Sequence, residues 1–175
     1  MTKRVSFVLV ALLLAGAGLY FRAQNASQAK KSVSQIIATD NTGVSTTTAI
    51  TNLETYSHSH MGASVSFTLS GSFSRAQAAA TASANAQSSA SSALYAAAQR
   101  ACMGHTDSIT QANCNTAYIQ SHLQSINMTT VPQPKLAAYQ YSFKSPFWAP
   151  DLAGALFLGA AVALALSLIM ERNPY

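Results

Sequence analysis

Charge is what this sequence has least of. Asp, Glu, Lys and Arg make up 9% of its 175 residues, against about 25% in an ordinary globular chain. The acidic residues Asp40, Glu54, Asp107, Asp151 and Glu171 are too scattered to suggest a paired general acid and base. Serines are plentiful, yet none sits in a Gly-x-Ser-x-Gly elbow, and no glycine-rich loop could cradle phosphates. An enzyme is therefore not expected. The basic residues form no stripe, which argues against nucleic acid as a partner. A net charge of +5 spread so thinly fits contact with anionic lipid headgroups better.

What is present in quantity is apolar sequence at the two ends. Residues 152–170 read LAGALFLGAAVALALSLIM, with no charge and no proline. About 18 such residues, at about 1.5 Å each, cross a hydrocarbon core of about 30 Å, and in lipid the backbone must satisfy itself as a helix. Phe147 and Trp148 precede the run, Pro150 and Asp151 can start and cap it, and Glu171 and Arg172 close it. At the other end Lys3 and Arg4 precede an apolar run over 5–21. That is also the form of a signal peptide, with Ala15-Gly16-Ala17 as a cleavage pattern, but the run is longer than a usual h-region, so a retained anchor is expected. No ionisable residue lies inside either run, so proton or ion conduction by this chain alone has no support.

The fold class expected is a mainly α membrane protein with two transmembrane helices flanking an extracytoplasmic domain. Its segments are a cytoplasmic N-terminus over 1–4, a first span over 5–21 whose helix continues to about 38, a middle domain over 22–151, a second span over 152–170 and a cytoplasmic C-terminus over 171–175. Ala26, Ala29, Val33, Ile36 and Ile37 give the extended first helix one apolar face, ending at the Asp40–Gly43 turn cluster. Thr51 with Glu54 looks like a capping box for a short helix through His60. Ser64–Ser70 then alternates polar and apolar, the period of a strand, and so does 138–144. These two strands are expected to pair, with Val65, Phe67 and Leu69 beside Tyr139, Tyr141 and Phe143.

Between them a helical hairpin is expected over about 73–126. Arg75–Ala101 is dominated by Ala, Ser and Gln without Gly or Pro; a low-complexity linker is the other reading. Ser108 with Gln111 opens a second helix, in which Ile109, Ala112, Ile119, Leu123 and Ile126 recur at helical steps, as packing along a partner helix requires. Cys102 and Cys114 flank the turn between them. A disulfide there would stabilise by roughly 3 kcal/mol in the chain-entropy model and imply an oxidising compartment; two unpaired buried thiols are the alternative. A disulfide would put the middle domain outside and both termini in the cytoplasm. The charge bias opposes this, with Arg22, Lys30, Lys31, Lys135 and Lys144 on the loop side, but long loops translocate largely regardless of charge.

Two further patterns are candidate sites. Ala155, Gly159, Ala163 and Ser167 recur every four residues in the second span, with Ala11, Ala15 and Gly18 as a looser counterpart in the first. Small residues let spans approach, either each other or a larger membrane complex. The set His58, His60, Met61, His105 and His122, with the cysteines, suits copper, haem or zinc. Against it, His58 and His60 point to opposite sides of a helix, and cysteines cannot be both bridged and ligating. Asn25-Ala26-Ser27 and Asn127-Met128-Thr129 match the glycosylation acceptor pattern, which arises by chance in a Ser/Thr-rich chain.

The favoured function is non-catalytic and without cofactor: a structural, assembly or accessory subunit of the plasma (inner) membrane, whose partners are the bilayer and another protein or a second copy. The alternatives are extracytoplasmic copper or haem handling, and a sensor that signals through a separate partner.

Overall fold

The computed structural model describes residues 2–104, 107–123 and 132–172. The elements run α1 (Thr2–Asn41), α2 (Thr47–Ser59), β1 (Val65–Thr68), α3 (Ser70–Ala101), α4 (Ser108–His122), a 3-10 turn (Leu136–Tyr139), β2 (Gln140–Phe143) and α5 (Leu152–Arg172). They form two compact units, one from residues 1–72 and 139–175, the other from Phe73 to Ala138.

In the first unit α1 is a single helix of 40 residues, about 60 Å long at ~1.5 Å per residue. Its first half and α5 are both long and apolar enough to cross a membrane. Only 11% and 28% of their apolar windows are buried, whereas the core helix of a soluble protein is mostly buried. The two helices pack antiparallel. Gly18 faces the Phe157 ring, 3.2 Å from where a Cβ would stand, and Gly159 faces Leu14. Their outward faces, with Leu12, Leu13, Leu19, Leu158, Val162, Leu168 and Ile169, are exposed.

The second half of α1 rises beyond this pair and becomes one wall of a small core. Ala29 and Ile36 of α1, Ile50 and Leu53 of α2, and Ala63, Phe67 and Leu69 are buried together, with Tyr139, Tyr141 and Phe143 half-covered against them. The two strands pair antiparallel, Val65 opposite Phe143 and Phe67 opposite Tyr141, and Leu69 N–H donates to the Tyr139 carbonyl at 2.9 Å. The period-2 pattern thus brings together the two apolar sets expected to meet. The Phe67 and Tyr141 rings stack at 5.4 Å. A lone ribbon is marginal in water, and the α1–α2 core supplies the cover it needs. The strands are shorter than 64–70 and 138–144, because the 3-10 turn takes the start of the second.

Three helix starts differ from the sequence reading. α2 begins at Thr47, not Thr51: the Thr51 hydroxyl donates to the Thr47 carbonyl one turn back and caps nothing. α3 begins at Ser70, because the buried carboxylate of Asp40 accepts from the N–H groups of Gly71 and Ser72 and from the Ser72 hydroxyl. A carboxylate at a helix N-terminus satisfies orphan donors and opposes the helix dipole. α4 is capped by Asp107, which accepts from Thr110 N–H at 2.8 Å, rather than by Ser108.

The second unit holds most of α3, and α4. Cys102 and Cys114 are joined, with their Cα atoms 5.9 Å apart. Leu94, Ala98 and Cys102, four residues apart on one face, are buried. The apolar stripe on α4 is not covered: α4 has no buried residue, and Ile109 at its start is 73% exposed. The stripe's last member, Ile126, lies outside the described residues.

Candidate functional site

The most elaborate polar constellation lies where α5 begins. Asp151 caps that helix, its Oδ1 accepting from Gly154 N–H at 2.8 Å. Its Oδ2 accepts twice more, from Asn25 Nδ2 at 2.8 Å and from the backbone N–H of Met61 at 3.0 Å. The Asn25 amide also donates to the Met61 carbonyl at 3.2 Å and accepts from the Tyr56 hydroxyl at 3.4 Å. One carboxylate therefore clasps α1, the turn after α2 and the start of α5.

The backbone makes this possible at Gly62, whose φ of +81° is left-handed. A Cβ there would stand 2.6 Å from Arg22 Cγ and 3.0 Å from the Arg22 carbonyl oxygen. Only glycine brings this turn down onto α1 without strain. Beneath the clasp Met61, Ala149 and Ala153 are buried together, with Phe21 and Phe157 packed against them. Burial first, and the negative charge of Asp151 second, push the Tyr56 hydroxyl pKa above its ordinary value.

Of the metal set, His58, His60, Met61 and His122 lie within the described residues. Among the described residues no three His, Cys, Asp or Glu side chains come together. His60 and His122 each stack on a tyrosine one turn earlier, Tyr56 and Tyr118, and each has Nδ1 hydrogen-bonded to that tyrosine's carbonyl. His58 is exposed, Met61 is in the apolar layer under the clasp, and both cysteines are bridged. His105 lies outside the described residues. Asn25, in the first glycosylation pattern, has its amide committed to Asp151 and Met61; the second pattern, at Asn127, is outside the described residues.

The small-residue stripe of α5 is partly displaced. Ala163 and Ser167 are buried and Gly159 is half-buried, but Ala155 is exposed, and Ala153 and Ala160 take its place. The reason is geometric. Each four-residue step turns an α-helix by ~400°, so the stripe drifts ~120° between Ala155 and Ser167 and leaves a straight partner. Alternating steps of three and four hold the seam, and this is how Ala11, Leu14, Gly18 and Phe21 run along α1.

Taken together, these groups hold elements in place: among the described residues the carboxylates of Asp40 and Asp151 both accept from backbone donors. Comparison with known proteins finds no matching family model, no similar curated protein and no similar solved structure.

Proposed function

We propose that the chain is a two-span membrane protein of the plasma (inner) membrane, with both termini cytoplasmic, and that it serves as a non-catalytic assembly or accessory subunit. The α1–α5 pair is the anchor. The Asp151 clasp sits at the lipid–water boundary and fixes the emerging half of α1, α2 and the ribbon as a base. The unit of α3 and α4 lies on the non-cytosolic side, where a disulfide persists.

The single observation that carries this reading is the contrast in burial. The base has a covered core, whereas α4 has no buried residue and α3, at 32 residues, has three, Ala80, Leu94 and Ala98. Helices that bury so little of their own surface gain little stability from their own fold, so covering them by another protein is the natural use of this unit.

The test is native mass spectrometry of the full chain extracted from its own membrane in mild detergent. A defined assembly heavier than the 18.3 kDa chain is expected, and it should be lost when α4 is made polar at Ile109 and Ile119. A monodisperse single chain under the same conditions would refute the subunit role.

A further inference from the structure

Between β2 and α5 the chain makes a short segment with an unusual surface. Phe147 is 97% exposed and Trp148 is more than half exposed, yet the segment is fastened on both sides. Ser145 N–H donates to the Ser64 hydroxyl at 2.9 Å, and the two serine hydroxyls are hydrogen-bonded to each other at 2.9 Å. On the far side Ala149 is buried and Asp151 is locked into the clasp. Two large rings are thus held outward by a pinned backbone, at heavy cost in water.

Their height is fixed as well. The Asn25–Asp151 bond puts them level with the end of the apolar half of α1, directly before an apolar helix of membrane-spanning length. Positive charge lies on the adjoining stretch of α1 and at the end of the ribbon. Arg22 packs against Gly62, Ser64 is bonded to Ser145 beside Lys144, and only Ala63 separates those two contacts. Lys30 lines a groove of about 390 Å³ with Ser64, Val65 and Ser66.

We infer that residues 144–150 form a lipid-docking wedge: Phe147 and Trp148 enter the headgroup–acyl boundary, and Arg22, Lys30 and Lys144 gather anionic phospholipid headgroups around it. Aromatic rings with apolar bodies belong at that depth, and basic residues near a bilayer surface attract anionic lipid within about a Debye length. The wedge rests on the membrane reading proposed above. It would set the depth and tilt of the base, which the spans alone do not fix.

Trp148 is the only tryptophan, so its emission reports on the wedge without labelling. The full chain is reconstituted into phosphatidylcholine vesicles, with and without phosphatidylglycerol, containing lipids brominated high or low on the acyl chain. Strong quenching by shallow bromines and weak quenching by deep ones is expected. A further blue shift with phosphatidylglycerol should vanish in about 1 M salt, where the Debye length is about 3 Å, and in the Arg22→Gln/Lys144→Gln double variant. Protein that inserts but keeps water-exposed, unquenched Trp148 overturns the wedge alone, a result that leaves Phe147 to a protein partner. Equal behaviour with and without phosphatidylglycerol overturns the charge selection, and failure to insert overturns the membrane reading itself.

Discussion

Replacing Asp151 by Asn is the sharpest test of the clasp, because it separates two jobs that one carboxylate performs. Asparagine is as good an N-cap as aspartate, so its oxygen keeps the bond from Gly154 N–H. Its amide group, however, would meet the N–H of Met61 and the amide of Asn25, which now both donate to Oδ2. Asn25 retains the Met61 carbonyl as an acceptor; the Met61 N–H keeps nothing. A hydrogen bond to a charged group contributes about 1.5–3 kcal/mol, and an abandoned buried donor costs about 1–3 kcal/mol. The site is only part-buried, so a loss of about 2–3 kcal/mol is expected. Asp151→Ala should cost about 1 kcal/mol more, since it also removes the cap. Thermal unfolding of the full chain in a mild detergent, followed by helical circular dichroism and Trp148 emission, reads both. If Asp151→Asn unfolds within about 0.5 kcal/mol of the parent, the range of an ordinary surface change, the clasp is not closed in the protein and the account of the base is wrong.

Four other outcomes follow from the same structure. Because folding raises the Tyr56 pKa, stability is intact below pH ~10 and declines as pH climbs through the folded pKa; Tyr56→Phe should flatten that alkaline decline, and identical alkaline limbs would count against it. Reducing the Cys102–Cys114 bridge, or Cys114→Ser, should loosen the α3–α4 unit by roughly 3 kcal/mol, read as faster proteolysis within 73–138 and an unchanged rate in the base. In the paired spans Gly18→Leu should cost about 1–3 kcal/mol of overpacking against Phe157, whereas Gly16, with nothing near its missing Cβ, should accept leucine without loss; engineered cysteine cross-linking between α1 and α5 would rank the two. Gly62→Ala should destabilise by roughly 1–2 kcal/mol from its left-handed φ and by more from the collision with the Arg22 carbonyl, and a neutral result would remove the glycine argument.

Legibility in the sequence followed the range of the interaction. Both apolar helices were readable because each carries its signal within itself. So was the ribbon, although its strands lie about 75 residues apart, since the alternation of each is complete on its own. The helix starts were misread for a physical reason: the residue that caps α3 is Asp40, at the end of another helix, and α4 takes Asp107 one position before the serine that fitted the motif. Asp151 was readable as a cap, but not as a clasp. Its other partners, Asn25 and Met61, are 126 and 90 residues away, and nothing local in NAS or HMG announces them. The α5 stripe is covered at Gly159, Ala163 and Ser167 but not at Ala155, because a pattern read at fixed steps of four ignores the fractional turn of the helix. The stripe on α4 is present in the sequence, but no residue of α4 is buried.

The composition of α3 has a thermodynamic corollary. From Ala76 to Ala93 almost every side chain is Ala, Ser or another small or polar group, and alanine has no rotamers to freeze. A protein settling on this rod would immobilise very little on the rod's side. Long lysines or glutamates in the same places would each forfeit up to about 2 kcal/mol of freedom. Attachment there can therefore rest on shallow, close-fitting contact, and a single bulky replacement on the correct face would be felt across the whole footprint.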